Sequence, residues 1–148
     1  MHPTIRRATT GDIFEWVRMR LILWPHLSAD DVQADMEEVL ADPEQAVFVA
    51  AREDGCLAGF LEATTRKYAD GCETSPVGYI EGWFVDEDLR GNGVGAGLVR
   101  AAEDWARGLG YEEMASDTWL DNEGSIEAHR KLGYEEAERL VHFAKWLE

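Results

Sequence analysis

Apolar and polar residues follow a helical period in four segments of this chain. In the first segment apolar residues recur every three or four positions, which predicts one buried helix face: Ile13, Phe14, Val17, Leu21 and Trp24. A second helix is predicted between a Ser28 cap and Pro43, with an apolar stripe on one side: Val32, Met36, Val39 and Leu40. Two more helices are predicted over residues 94–109 and 122–132, and Gly133 ends the latter.

Short apolar runs between these helices predict six strands. They cover residues 4–8, 46–52, 57–65, 77–85, 114–118 and 138–146. Asp54-Gly55, between the second and third runs, indicates a hairpin turn. The predicted order is β-α-α-β-β-β-α-β-α-β, with neither a linker nor a repeat. The pattern therefore predicts one α/β (α+β) domain over residues 1–148.

Composition narrows the class of protein. The chain has 148 residues, of which 45% are hydrophobic, and it contains no apolar run long enough for a membrane span. Residues 1–7 lack the apolar core of a signal peptide. The two cysteines, Cys56 and Cys72, fit no metal-ligand spacing with the four histidines. We therefore expect a cytoplasmic protein without a metal and without a membrane partner.

Charge adds a constraint on the partners of this chain. Thirty acidic residues against 14 Lys and Arg residues give a formal net charge of −16. Such a chain would repel the phosphates of nucleic acid, so no nucleic-acid partner is predicted. A negative field also raises the local concentration of a cationic small molecule. Solubility alone explains the same charge, so both interpretations stay open.

A glycine-rich run follows the fourth predicted strand and begins the third predicted helix: Arg90, Gly91, Asn92, Gly93, Val94 and Gly95. Glycines adopt positive φ angles, and the N–H groups at a helix start favour an anion. A P-loop would need Lys followed by Ser or Thr, but Ala96-Gly97 stands there. The run therefore indicates either another kind of phosphate-binding turn or a simple surface turn.

Two motifs of this chain resemble those of a known family. Arg90, Gly93 and Gly95 fit the pattern Arg-x-x-Gly-x-Gly, which resembles the pyrophosphate-binding motif of the GNAT superfamily of N-acetyltransferases. Residues 122–134 resemble its second motif, an Asn, a helix and a Lys-Leu-Gly-aromatic ending. The predicted element order also matches, so the resemblance covers nearly the whole chain. It implies a mixed, mostly antiparallel sheet with splayed central strands and flanking helices.

The resemblance implies that acetyl-coenzyme A (acetyl-CoA) is a co-substrate. Its acetyl-pantetheine arm would fill the gap between the splayed strands and pair with the backbone of Phe84 and Val85. The N–H groups of residues 90–95 would hold the pyrophosphate. Asn122 would contact the coenzyme, although its position is equally that of an ordinary helix N-cap.

One position departs from the common pattern of this superfamily. Many members carry a Tyr four residues before the glycine of the second motif, where it protonates the departing thiolate. This chain has His129 at that position. A histidine can donate a proton, and His129 can equally be a helix residue without a catalytic part.

Several longer strings resemble bacterial aminoglycoside 6'-N-acetyltransferases, namely residues 23–26, 73–77, 81–85, 115–118 and 138–143. Members of that group acetylate the 6'-amine of polycationic sugar antibiotics and confer resistance. The resemblance implies six substrate-binding residues: Trp24, Tyr68, Glu73, Glu81, Asp117 and Glu138. It also suggests a homodimer in which the last strand contributes to the partner's site.

Four of these six residues also have a plain structural interpretation. Trp24 and Tyr68 can be core aromatics, and Glu138 can be a solvated strand-end acid. Glu81 shares a face with Tyr79 and Trp83 if no bulge intervenes, and its partner is either a substrate amine or an internal Arg or Lys.

The reaction itself defines the chemistry that the site must supply. A substrate ammonium must lose a proton before it attacks the thioester directly. Asp117 or Glu81 is the predicted proton acceptor, unless these carboxylates mainly orient the cation. N–H groups near Val85 would stabilise the oxyanion. A polyamine or protein-amine acceptor, and a non-catalytic acetyl-CoA sensor, remain as alternative functions.

Overall fold

A five-stranded sheet forms the centre of the protein. The structure is a computed structural model that describes residues 2–148. Its strands β1 to β5 are Thr4–Arg7, Gln45–Ala51, Leu57–Arg66, Val77–Val85 and Met114–Ser116. They lie side by side in chain order. Each of the first four strands is antiparallel to its neighbour, and β5 runs parallel to β4. The sheet is therefore mixed and mostly antiparallel, as predicted.

Helices cover both faces of this sheet. The α-helices α1 to α5 are Ile13–Leu23, Ala29–Gln33, Met36–Ala41, Val94–Gly108 and Glu123–Lys131. Short 3₁₀ turns at Thr10–Asp12 and Glu87–Leu89 precede α1 and follow β4. None of the helices within residues 2–148 combines the length and apolar character that crossing a bilayer requires.

Two apolar layers hold the helices against the sheet. One packs α1 and α3 onto it: Trp16, Met19, Met36, Val47, Val49, Leu57, Phe60 and Phe84. The other packs α4 onto the opposite face: Phe48, Ala50, Leu61, Ile80, Leu98, Val99 and Ala102. Neighbouring strand residues such as Phe60 and Leu61 enter different layers, because successive side chains of a strand point to opposite faces.

The two N-terminal helices differ from the prediction in detail. Phe14 is 85% exposed, and α1 instead buries Trp16 and Met19, which lie three residues apart on one side of the helix. Ser28 does cap α2, since its Oγ accepts a hydrogen bond from the Asp31 N–H at 3.2 Å. The single predicted second helix is broken, however, because Asp35 between α2 and α3 adopts a left-handed φ of 66°.

The last predicted strand is wrong for the isolated chain. Residues 135–148, called the C-terminal arm below, form no strand. Its large apolar side chains are exposed, with Phe143 at 93% and Trp146 at 96%. The sheet ends at β5, which has only three residues, and the arm does not pair with it.

A bulge in β4 changes which side chains share a face. Gly82 pairs with Glu62 and Ile80 pairs with Ala63, so Glu81 is an extra, unopposed residue in β4. Glu81 and Tyr79 both face the α1 side of the sheet, as expected. Trp83 does not, contrary to the bulge-free expectation, because the bulge turns it onto α4, where its Nε1 donates to the Gly95 carbonyl.

Candidate active site

The edge of β4 is open along the half that leads to the glycine turn. β5 pairs with β4 only from Gly78 to Ile80. Within residues 2–148 no strand lies on that side of residues 81–85. A cleft of about 530 Å³ lies at the end of this stretch, and Phe84 and Arg90 are among its lining residues. An extended, amide-bearing ligand can add to such an edge through main-chain hydrogen bonds.

The glycine turn has the geometry of an anion cradle. Gly91 and Gly93 have φ angles of 82° and 85°, and a Cβ on either would meet no described atom within 4 Å. These glycines therefore serve the backbone conformation and leave open space above it. α4 begins directly afterwards with four apolar residues, and the N–H groups of its first turn have no acceptor within the helix. A pyrophosphate fits this surface.

Gly95 has a different role from its two neighbours. A Cβ there would lie 3.2 Å from Cζ2 of Trp83, so this glycine lets the indole pack against the start of α4. The Trp83 ring closes the α4 side of the open edge.

Two of the three acids beside the glycine turn, Asp86 and Asp88 but not Glu87, are paired with arginines of the protein. Asp86 accepts hydrogen bonds from Arg18 and Arg52, each at 3.2 Å, and Asp88 accepts one from Arg52 at 2.8 Å. The Arg52 hydrogen bond lowers the pKa of the Asp88 carboxyl. Arg90 donates from its Nε to the Val85 carbonyl at 2.8 Å. The turn can therefore receive an anion despite the acidic composition of the chain.

A connected set of polar side chains lies on the α1 face near the bulge. Glu81 accepts hydrogen bonds from Thr64 at 2.6 Å and from Arg66 at 2.7 and 2.9 Å. The Arg66 guanidinium carbon lies 3.5 Å from the centre of the Tyr79 ring. Tyr79 in turn donates from its hydroxyl to Oδ2 of Asp117 at 2.5 Å. The structure thus links the two predicted carboxylates, Glu81 and Asp117, through Arg66 and Tyr79.

The two carboxylates are not equivalent. Both oxygens of Glu81 already accept hydrogen bonds. Of the two partners that the sequence allows for this carboxylate, the structure therefore shows the internal arginine, Arg66. Asp117 is exposed at the end of β5, and within residues 2–148 its Oδ1 accepts no hydrogen bond. Burial and the Asp117 hydrogen bond raise the pKa of Tyr79 well above its usual value, so this phenol remains a neutral donor. Asp117 therefore keeps an oxygen free for a cationic ligand.

Trp24 occupies a defined place on the same face of the sheet. It is half-buried, and a Cβ on Gly82 would come within 2.9 Å of its ring atom Cη2. The Arg20 guanidinium lies 5.7 Å from the Trp24 ring centre, and Glu62 binds that guanidinium with both oxygens at 2.6 Å. The buried ion pair thus fixes one wall of the acceptor side. Trp24 therefore packs partly into the core and also forms part of this wall.

Three other predicted site residues lie around the loop between β3 and β4. Tyr68 is 72% exposed and donates from its hydroxyl to Asp70 at 3.0 Å. That hydrogen bond raises the pKa of Tyr68, with smaller contributions that include the charge of Glu138. Glu73 contributes a backbone N–H to the Glu113 carboxylate at 2.8 Å. The structure therefore brings Tyr68 and Glu138 into one neighbourhood.

The second motif contributes a helix cap and a fixed histidine. Asn122 is the N-cap of α5, where its Oδ1 accepts the Ser125 N–H at 3.1 Å. The ordinary cap interpretation is therefore correct, and the side-chain NH₂ remains as a donor for a ligand. His129 is half-buried, and its Nε2 lies 2.8 Å from Oγ of Ser116, the last residue of β5.

Comparison with known proteins agrees with this geometry. Residues 12–134 match the model of the acetyltransferase (GNAT) family. That stretch includes the open edge, the glycine turn, Asp117 and the second motif. The chain belongs to the GNAT family.

Curated GNAT relatives of similar length carry one shared name, aminoglycoside N(6')-acetyltransferase type 1. The protein of that name from Stenotrophomonas maltophilia is 45% identical over 147 residues, 99% of this chain and 95% of the relative. That from Klebsiella aerogenes is 40% identical over 146 residues, 97% of this chain and 96% of the relative.

Solved GNAT structures superpose closely on this chain. AAC(6')-Iy in complex with the bisubstrate analogue CoA-S-monomethyl-acetylneamine has a TM-score of 0.93, with 37% identity over 99% of this chain and 100% of that one. AAC(6')-Ih from Acinetobacter baumannii has a TM-score of 0.90, with 33% identity over 98% of this chain and 99% of that one.

Sequence reasoning missed three polar residues in this GNAT site. Arg66 ends β3, and nothing in its local pattern shows that it crosses to Glu81. Tyr79 has no function in the sequence analysis, where it only marks the face of the strand that Glu81 shares, two residues away. Ser116 stands directly before Asp117 at the strand end, and that adjacency was the available signal.

Proposed function

We propose that this GNAT protein is an aminoglycoside 6'-N-acetyltransferase that transfers the acetyl group of acetyl-CoA to the 6'-amine and so confers resistance. The observation that carries the proposal is the Asp117–Tyr79 pair, which lies where β4 and β5 diverge and keeps a carboxylate oxygen free. Relatives that are 36–45% identical over most of the chain carry the corresponding name.

The glycine turn and the open edge of β4 hold acetyl-CoA in this proposal. N–H groups of residues 90–95 bind the pyrophosphate, and the helix dipole of α4 supports the same charge. Backbone groups of Phe84 and Val85 pair with the pantetheine amides once Arg90 releases the Val85 carbonyl. The Asn122 side-chain NH₂ adds a donor at the start of α5.

Asp117 is the proposed proton acceptor for the amine. An alkyl ammonium has no lone pair, and a carboxylate within hydrogen-bond reach can remove its proton directly or through one water. The neutral Tyr79 hydroxyl fixes Oδ2 of Asp117 and leaves Oδ1 for the ammonium. The free amine then attacks the thioester carbon directly, with N–H groups near Val85 stabilising the oxyanion.

Glu81 has the proposed role of a cation-binding residue. In the free protein it holds the Arg66 guanidinium, which lies flat on Tyr79. A substrate ammonium competes with Arg66 for this carboxylate. Trp24 and Tyr68 then border the sugar rings, and Glu73 and Glu138 offer carboxylates to the remaining ammonium groups.

Kanamycin is expected to be acetylated at its 6'-amine and at no amine of the central ring. A primary amine on a methylene arm reaches deeper into the narrow gap beside β4 than a ring amine does. Attack needs the nitrogen within about 3–3.5 Å of the thioester carbon. NMR of the purified product locates the new acetyl group.

The matched control is an aminoglycoside with a 6'-hydroxyl in place of the amine. Its kcat/KM should be lower by on the order of 100-fold, because this analogue lacks the amine that attacks the thioester and the ammonium that donates a hydrogen bond to the site. Acetylation of another amine, or efficient turnover of the 6'-hydroxyl analogue, contradicts the proposal. Preferential turnover of spermidine or a peptide would support the polyamine or protein-amine alternative, whereas acetyl-CoA binding without any turnover would support a sensor.

We further propose that the protein is a cytoplasmic homodimer joined through its C-terminal arms. The arm carries a group of exposed apolar residues within one stretch: Leu140, Val141, Phe143, Trp146 and Leu147. β5 offers an open sheet edge on which a strand from a second copy can add. The free thiols of Cys56 and Cys72 suit a reducing compartment.

The double variant Phe143→Asp/Trp146→Asp should convert this dimer to a monomer. Two carboxylates on a strand that is buried between copies would each be desolvated without a partner. Sedimentation equilibrium should give twice the chain mass of 16.6 kDa for the wild type and the single mass for the variant. Phe14→Asp, at a similarly exposed phenylalanine on α1, serves as the control and should stay dimeric. A monomeric wild type, or a variant that remains dimeric, contradicts the arm exchange.

A further inference from the structure

A serine and a histidine form a hydrogen-bonded pair at the point where β4 and β5 diverge. Ser116 is the last residue of β5 and pairs with Ile80, the last residue of β4 that has a strand partner on this edge. Its Oγ lies 2.8 Å from Nε2 of His129 on α5. The serine thus lies in the strand pair at which the open edge begins, and its hydroxyl is within hydrogen-bond reach of the histidine ring.

The other ring nitrogen fixes the proton arrangement of His129. Nδ1 lies 2.7 Å from the backbone carbonyl oxygen of Ser125. A carbonyl only accepts hydrogen bonds, so Nδ1 carries a proton. In the neutral ring Nε2 then accepts from the Ser116 hydroxyl, and in the charged ring Nε2 donates to Ser116 Oγ. The direction of this hydrogen bond thus depends on the charge of the ring.

Aromatic residues from two elements hold the imidazole in place. The Trp83 ring of β4 meets it edge to face with centres 5.1 Å apart, and the Tyr134 ring does so at 5.9 Å. The Tyr134 hydroxyl donates to Glu103 of α4 at 2.6 Å. Burial and this hydrogen bond raise the pKa of Tyr134 well above its usual value, so that phenol stays neutral. Packing against Trp83 and Tyr134 therefore fixes the orientation of the His129 ring.

Both ring nitrogens of His129 are engaged, one by Ser125 and the other by Ser116. A proton that leaves Nε2 passes to Ser116 Oγ, the hydrogen-bond partner of that nitrogen. We propose that Ser116 is the catalytic acid that protonates the departing sulfur of the coenzyme, and that His129 is a positioning residue that resupplies its proton. This inference rests on the proposed acetyl transfer but not on the identity of the amine.

In this proposal a proton passes from His129 through Ser116 to the sulfur. As the carbon–sulfur bond breaks, its electron pair stays on sulfur and takes the Ser116 hydroxyl proton. Ser116 Oγ takes the Nε2 proton of the charged His129 ring. The ring becomes neutral, keeps its Nδ1 proton on the Ser125 carbonyl, and regains an Nε2 proton from solvent. The ammonium proton of the substrate leaves separately through Asp117.

Three variants test this assignment. Ser116→Ala removes the hydroxyl, Ser116→Thr keeps it at the same position, and His129→Gln keeps a polar side chain that cannot carry the charge. Ser116→Ala should lower kcat by on the order of 100-fold without changing the KM for acetyl-CoA, whereas Ser116→Thr should recover most of the rate. A purely structural serine would not produce this split between kcat and KM.

The pH profile and an NMR measurement separate the two residues. Wild-type kcat should fall as pH rises, because the charged ring is the form that supplies the proton. His129→Gln should lower kcat and remove that decline. In the free enzyme, ¹⁵N NMR should show Nδ1 protonated, and Ser116→Ala should shift the Nε2 signal.

The inference is overturned if Ser116→Ala keeps the wild-type kcat, if Ser116→Thr is as slow as Ser116→Ala, or if Nδ1 is unprotonated in the neutral ring. The variants are assayed with both kanamycin and spermidine as acceptors. Turnover of spermidine alone refutes the proposed aminoglycoside function, while the effects of Ser116→Ala and His129→Gln on that turnover still decide the acid assignment.

Discussion

Gly93→Asp is expected to abolish acetyl-CoA binding while the protein stays folded. The residue precedes α4 at a φ of 85°, and a Cβ there enters open space among the described atoms. A carboxylate at this point would face the pyrophosphate. Two unit charges about 4 Å apart near a protein surface interact by about 4 kcal/mol, so affinity should fall roughly a thousandfold.

The matched control is Gly93→Asn, which has the same shape without the charge. Asn and Asp are the residues that best tolerate a left-handed backbone, so both variants carry a similar conformational cost. Thermal unfolding should give similar Tm values for the two, and calorimetry with coenzyme A should separate them. Equal affinities for Asp and Asn would show that charge at this turn does not matter and would remove it as the phosphate site.

The sequence contained enough information for most of the fold and for the backbone geometry of the glycine turn. The nine residues of β4 match the predicted strand because the run is apolar except for Glu81 and the glycine turn limits it. The positive φ angles of Gly91 and Gly93 follow from the residue type, since few other residues adopt them. Local chemistry decides these features, so a local pattern reveals them.

The part of the site proposed to bind the amine could be predicted only in part, because one extra residue in β4 changes which side chains face it. The bulge at Glu81 keeps that carboxylate beside Tyr79 and sends Trp83 to the opposite face. Strand periodicity assumes an uninterrupted alternation, and Gly82 beside the bulge is the local sign of the interruption that the periodicity ignores. The Arg66 partner of Glu81 depends on the pairing of β3 with β4, which is a property of the folded sheet.

The C-terminal arm shows a second limit of pattern reading. Its short apolar run predicts a strand, yet a strand forms only where another strand supplies hydrogen-bond partners. Phe143 and Trp146 remain exposed in the single chain. The pattern is therefore consistent with an intermolecular pairing, which a sequence does not distinguish from an intramolecular one.

Asp117→Asn should lower kcat by roughly 100-fold or more while the KM for acetyl-CoA stays unchanged. Asn has the shape of Asp, and its Oδ1 can still accept the Tyr79 hydroxyl that binds Asp117 at 2.5 Å. The substitution therefore removes the proton acceptor without dismantling the site. Steady-state kinetics with kanamycin, varying each substrate in turn, measures the two parameters separately.

Tyr79→Phe is the control for this variant, because it keeps the carboxylate and loses only the hydrogen bond that orients it. Its kcat should fall by less than about tenfold, as expected for a group that acts through Asp117. If Asp117→Asn raised the KM for kanamycin and left kcat intact, the carboxylate would bind the cation without accepting its proton. The base would then have to be sought at Glu81, whose Oε1 becomes available once Arg66 is displaced, while Thr64 still donates to Oε2.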